Sequence, residues 1–452
     1  MKVAILGGGG FRTPIVYGAL ARAELGVDEI VLHDVSSPRL RLISSVIEGM
    51  AAERGRGPRV ASTTELRDTV DGAAFVLCAI RVGGLEGRVI DETVPQSFGV
   101  LGQETVGPAG IAFALRTVPV MRTVAETVAR HAPEAWFLNF TNPAGLVTES
   151  VREVLGDRAI GICDSPSALC RAVAGALDRP MDELSFAYVG LNHLGWLTSV
   201  RSGDEELLPS LLADDRRLSM LPESRLFGLE CLRELGMIPN EYVAYYLFRD
   251  RIREAFAAAG RTRGQFLLEQ QSSFYRTSPG TPTQALAAWS RAKDERDWTY
   301  MQEARPSVSD PTTADPASDE GGTEEAAEGY AGVAVRCMRA LSGNRPATLI
   351  VGVANRGAVS FLDDDATVEV PCRVEPTGAS PAAVARVRSP QRSLMERVRA
   401  AERATLRAAA TGSAEDAVHA LAIHPVVPSA DVARRIFDAY RERHPFIRER
   451  FT

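Results

Sequence analysis

Val3-Ala4-Ile5-Leu6-Gly7-Gly8-Gly9-Gly10, answered downstream by Glu29-Ile30-Val31-Leu32-His33-Asp34, is the stretch on which the fold turns. A short apolar run feeds a glycine turn, and Thr13–Leu25 then carries apolar residues at three-to-four spacing, so the order is strand, turn, helix, strand, acid. Glycines let a backbone come close to a pyrophosphate, and a helix N-terminus offers free N–H groups with a partial positive charge. Gly7, Gly9, Gly10, Phe11 and Arg12 are the expected cofactor-facing turn. Asp34 is placed to accept from a ribose hydroxyl and to repel a 2′-phosphate, which favours NAD over NADP. Arg12 stands where G-x-G-x-x-G has its third glycine, a departure that bears on helix packing more than on cofactor class.

Working outward, the strands expected are Val3–Leu6, Glu29–His33, Ala74–Ile80, Trp136–Asn139, Ala159–Cys163 and Phe186–Gly190. Helical patterns fall between them at Thr13–Leu25, Arg39–Arg54 and Pro143–Leu155. This alternation predicts an α/β fold: a Rossmann-type, mostly parallel sheet over residues 1–200. Residues 201–452 read as a second, mostly helical α+β domain for substrate and oligomerisation, lactate/malate dehydrogenase-like overall. Its expected helices are Arg225–Leu235, Glu254–Ala259, Thr283–Met301, Gly332–Leu341, Ser393–Ala410 and Ala430–Arg441, with a strand at Ala347–Val353. Asp34, Arg81, Asn142, Asp164 and His193 each follow a strand, and in an open α/β sheet ligands bind outside the carboxyl ends of strands.

Charge and composition exclude several classes. The formal charge of −7 is matched by seven acids between Pro306 and Gly329, a segment without Lys or Arg that reads as a mobile surface loop. The remainder is balanced, with no basic face for nucleic acid. No apolar run approaches the roughly 20 residues of a membrane span. The six cysteines form no C-x-x-C pair, so reduced thiols in a cytoplasmic protein are expected.

Further motifs run in order along the chain: Arg81–Arg88, Gly102-Gln103-Glu104-Thr105, Asn139–Gly145, Gly161-Ile162-Cys163-Asp164, Gly190–Leu194 and Pro239-Asn240-Glu241-Tyr242. With the glycine turn they resemble glycoside hydrolase family 4, the NAD-dependent glycosidases, and within it the 6-phospho-β-glucosidases. The resemblance implies a phosphorylated disaccharide or glucoside as substrate, NAD and Mn²⁺ as cofactors, and a homodimer or homotetramer. It implies hydride removal from C3, loss of the C2 proton, elimination at C1, water addition and re-reduction, an exception to the two-carboxylate rule of other glycosidases.

Residue by residue, the resemblance implies Cys163 and His193 as metal ligands and Tyr242 as the base at C2. Without it, a buried cysteine is usually a small hydrophobe and a lone histidine usually packs. Asp164 matches the general acid of the α-glucoside members, where many β members have Asn; its bland reading is a helix N-cap before Pro166. Arg81 matches a cofactor position. Arg88, Asn142 and Arg263 match positions contacting the sugar or its phosphate, and Glu104 and Asn192 read as substrate-orienting or metal-site groups. A guanidinium donates two parallel charge-assisted bonds to a phosphate, although most arginines are solvated surface charges. Two other readings stay open: a malate/lactate-type NAD dehydrogenase and a non-catalytic dinucleotide sensor. Within the family, the 6-phospho-α-glucosidase and unphosphorylated-substrate branches stay open too.

Overall fold

A computed structural model describes residues 1–277, 279–298, 329–343, 345–384 and 387–451. The acidic segment at 306–328, and residues 299–301 of the expected helix Thr283–Met301, lie outside them.

Among the described residues thirteen strands form one mixed sheet. In chain order they are β1 Lys2–Leu6, β2 Glu29–His33, β3 Arg59–Thr63, β4 Phe75–Cys78, β5 Trp136–Asn139, β6 Ala159–Gly161, β7 Ser185–Leu191, β8 Leu194–Ser202, β9 Glu205–Glu206, β10 Ile238–Pro239, β11 Ala347–Ala354, β12 Thr367–Glu375 and β13 Gly378–Pro381. The main path runs β10-β8-β7-β12-β11-β6-β5-β4-β1-β2-β3. From β3 to β6 every pairing is parallel, in the 3-2-1-4-5-6 order of a dinucleotide-binding sheet. From β6 outward every pairing is antiparallel.

Alternation along the strands explains both covered faces. Val3, Ile5, Phe75, Leu77 and Leu138 pack with the helices Thr13–Arg22 and Ser37–Arg54. Ala4, Leu6, Val76, Cys78 and Phe137 face the helices Pro108–His131 and Ala144–Leu155. Full burial of one such side chain contributes about 1.5–3 kcal/mol, so continuous apolar runs belong in a sheet covered on both faces.

Several expectations are corrected. The strand expected at Ala347–Val353 is met as β11, but β12 was not expected; together they enter the sheet between β6 and β7, making the antiparallel half an integral part of it. The helix expected over Arg225–Leu235 is broken at Gly228, whose φ of +81° separates Pro222–Phe227 from Leu229–Leu235. His193 does not follow a parallel strand but forms the tip of the antiparallel β7–β8 hairpin, at φ +62°. Arg12 does not weaken helix packing, because its side chain lies outside and Gly8 makes the close approach instead. A Cβ on Gly8 would stand 2.7 Å from that of Leu32. No helix among the described residues is long and apolar enough to cross a membrane, and all six cysteines are free.

Candidate active site

The glycine turn sits at the switch point between β1 and β4. Gly7 adopts φ +83°, and a Cβ there would lie 2.7 Å from the Ala79 carbonyl oxygen, so only glycine fits. Asp34 holds the turn from the second strand, accepting from Gly9 N–H at 3.2 Å and Ser36 N–H at 3.0 Å. Three aromatic residues from later in the chain close over it. Tyr275 donates to the Gly9 carbonyl at 2.8 Å, with the Arg39 guanidinium 4.5 Å from its ring centre. Trp289 donates to the Phe11 carbonyl at 2.8 Å, and Phe274 meets the Phe11 ring edge-on. Arg12 lies over the Tyr330 ring.

Glu104 is the electrostatic centre of the crevice. Its carboxylate pairs with Arg81 and, at 2.6 Å, with Arg88, which also donates to Glu92 at 2.7 Å. Burial opposes the Glu104 charge, but the guanidiniums of Arg81 and Arg88 outweigh it and hold the carboxyl down at about 2. Burial lowers the Arg88 pKa less than the Glu104 and Glu92 charges raise it, so its cation is firmly kept, and the Tyr242 phenol adds to that effect. Arg81 is therefore tied to Glu104, with its guanidinium over Phe113.

Tyr242 and His193 stack face to face, ring centroids 3.6 Å apart and planes within 1°. The His193 ring is buried, which lowers its pKa to about 4 against the pull of Asp164 and Glu104; it is neutral near pH 7. Its Nδ1 bonds the Thr105 hydroxyl at 2.7 Å. Cys163 is also buried, and desolvation together with the charges of Glu369, Asp164 and Glu241 raises its thiol well above its usual value. Asp164 stands at the N-cap position of the helix Ser165–Leu177 yet makes no capping bond, so the bland reading is not realised. Asn192 donates to Glu369 at 2.8 Å. Asn142 lies in the turn after β5, half-buried, with a cis peptide to Pro143.

Among the described residues no three His, Cys, Asp or Glu side chains are gathered as a metal cage. The donor chemistry of Cys163 and His193 fits a two-ligand centre whose remaining positions go to oxygen ligands from outside the protein.

A cavity of about 330 Å³ opens beside this site, lined by Arg88, Glu92, Glu104, Tyr245, Arg261 and Arg263 among others. Three guanidiniums against two carboxylates give it an excess of positive charge. Arg261 and Arg263 flank the Phe266 ring at 4.9 and 4.8 Å, and Arg263 also donates to the Arg296 carbonyl at 2.8 Å. Tyr245 is buried and lines this cavity. Sequence reasoning missed Arg261, although the Arg261-Thr262-Arg263 spacing just before a helix was a visible signal. It also missed Tyr275 and Trp289, for which no local motif exists.

Comparison with known proteins agrees with this geometry. Residues 2–179 match the family described as family 4 glycosyl hydrolase, and residues 188–427 match the family 4 glycosyl hydrolase C-terminal domain. The chain belongs to glycoside hydrolase family 4. A probable 6-phospho-beta-glucosidase of Bacillus subtilis is 30% identical, over 98% of this chain and 96% of that one. A 6-phospho-alpha-glucosidase from gut microorganisms, solved in complex with NAD and Mn²⁺, is 25% identical with a TM-score of 0.78, covering 98% and 97%. Malate dehydrogenase from Plasmodium falciparum, solved with NADH, shares the fold at a TM-score of 0.51 and 12% identity, over 90% and 98%. That likeness extends to the fold alone, and family membership sets aside the dehydrogenase reading of the sequence.

Proposed function

We propose that the chain hydrolyses 6-phospho-β-glucosides with NAD and a divalent ion, Mn²⁺ by preference, through redox-assisted elimination and addition. The observation that carries this reading is the stacked Tyr242–His193 pair beside an arginine-lined cavity. A phosphate seats in that cavity on Arg88, Arg261 and Arg263, and this fixes the sugar from its C6 end. Tyr242 takes the C2 proton, with the Arg88 guanidinium close enough to interact with its oxygen. Asp34 and the glycine turn seat the dinucleotide, Arg81 and Arg12 flank its approach to the sugar, and Asn142 and Asn192 orient sugar hydroxyls. Cys163 and His193 hold the ion. Bound NAD supplies the reversible oxidation at C3, and the ion supplies charge stabilisation at the C2 and C3 oxygens. Residues 1–200 then form the dinucleotide half and 201–452 the sugar-covering half.

The β assignment is supported by the Arg81–Arg88 and Gln103–Thr105 segments and by the name of the Bacillus relative. Asp164 favours a second reading, the α-glucoside branch, because its carboxylate is not spent on capping its helix. Chromogenic 6-phospho-β-glucoside, its α anomer and the unphosphorylated β-glucoside, each assayed with and without NAD⁺, Mn²⁺ and reductant, separate these. The expected result is cleavage of the phosphorylated β anomer only when all three are present. Faster cleavage of the α anomer would select the second reading, and cleavage without NAD⁺ would refute both.

A further inference from the structure

The hydroxyl of Thr105 lies between two partners, 2.7 Å from His193 Nδ1 and 3.1 Å from Gln103 Oε1. The same Gln103 atom receives the Thr105 N–H at 2.7 Å and the Val106 N–H at 2.9 Å. Two backbone donors converging there identify that atom as the amide oxygen, an acceptor only. The single hydroxyl proton of Thr105 therefore has a defined direction. Given to His193, it would leave two oxygens facing each other with lone pairs in a buried site. Given to Gln103, it leaves the hydroxyl oxygen free to accept, and His193 Nδ1 must then carry the proton. A neutral imidazole has one ring proton, so Nε2 is left with its lone pair.

Glycines on either side of Thr105 bring its loop into close contact with the neighbouring backbone. A Cβ on Gly102 would stand 2.0 Å from the Glu92 carbonyl oxygen, and one on Gly110 would stand 2.3 Å from that of Thr105. Tyr242, stacked on His193, holds the ring plane from its face. The ring is thus fixed in plane and along one edge.

We propose that Thr105, oriented by Gln103, is a positioning residue that sets the His193 tautomer so that Nε2 faces outward as a ready donor for the divalent ion. The proposal rests on the reading of His193 as a metal ligand. Metal-bound histidines generally donate their other ring N–H to a fixed acceptor, and loss of that acceptor weakens metal binding by about 10–100-fold.

The test uses the full-length, metal-free protein with ¹⁵N-labelled histidine. Long-range ¹H–¹⁵N correlation reads which ring nitrogen is protonated, and the H193A spectrum assigns the signal among six histidines. Wild type is expected to show Nδ1–H with a bare Nε2, T105S the same, and T105V a mixed or reversed tautomer. Mn²⁺ titration followed by electron paramagnetic resonance should show T105V binding roughly 10–100-fold more weakly, T105S like wild type, and H193A without the tight site. Wild-type His193 protonated on Nε2, or T105V binding Mn²⁺ as tightly as wild type, would overturn the proposal while leaving the metal site standing. An H193A protein that keeps the tight Mn²⁺ site would overturn the metal reading and the proposal together.

Discussion

At the scale of single residues, Tyr242 bears the heaviest chemical demand. Its ring lies flat on His193, and its oxygen is close enough to the Arg88 guanidinium to act on it. Phenylalanine keeps the stacking surface and removes only the oxygen. Tyr242→Phe should therefore lower kcat by about 10²–10⁴-fold, the usual range for a removed general base, with KM nearly unchanged. Steady-state kinetics on the phosphorylated glucoside reads this directly; a rise in KM with kcat unchanged would make Tyr242 a binding contact only. Asp34, the glycine turn and Tyr242 could be named from the chain because each sits in a short local motif. Tyr275 could not: its hydroxyl meets Gly9 only through a fold that brings residues 266 positions apart together.

At the scale of elements, Glu104 acts as a clasp. It joins the loop before the helix Pro108–His131 to Arg81 after β4 and to Arg88 in the helix Gly84–Ser97. Glu92 continues the clasp by accepting from Gly264 N–H at 2.7 Å, at the start of the helix Arg263–Tyr275, which carries one cavity arginine, follows Arg261 and is secured by a Thr262/Gln265 capping box. The Glu104 carboxyl sits at about 2, below its ordinary 4.5. Its contribution is therefore complete above pH 4.5 and is lost as pH falls from about 4.5 to about 2, because the unfolded chain binds the proton first. A shift of this size corresponds to about 3 kcal/mol as an upper figure. In chemical denaturation, Glu104→Gln should be less stable than wild type by roughly that amount near neutrality, with the deficit shrinking toward pH 2. A deficit independent of pH would mean that the Glu104 charge plays no part in joining these elements.

At the scale of the whole molecule, the parallel half was legible apart from β3, whereas in the antiparallel half β7 and β11 could be read as strands but their pairing could not. The former is built from units in which strand and crossover helix are adjacent in sequence, so Val3–Leu6, Glu29–His33 and Trp136–Asn139 stand where their apolar runs put them. The latter pairs β12 with β7, aligning Glu369 with Gly190 from 179 positions away, and no local pattern encodes such a pairing. The site is divided in the same way. Its residues come from recognisable motifs, but the stack of Tyr242 on His193, the Thr105 bond and the shared cavity arise only when the hairpin, the glycine-locked loop and the helix at 263–275 meet. That meeting places a stacked tyrosine and imidazole beside a cavity lined by guanidiniums, whereas two opposed carboxylates would suit an ordinary glycosidase.

The most direct test of this account is turnover of the 6-phospho-β-glucoside in ²H₂O with NAD⁺ and Mn²⁺, followed by NMR of the sugar phosphate released. Proton removal at C2 predicts deuterium at C2 of the product. Product carrying only protium at C2, formed at an undiminished rate, would contradict the elimination route and with it the role assigned to Tyr242.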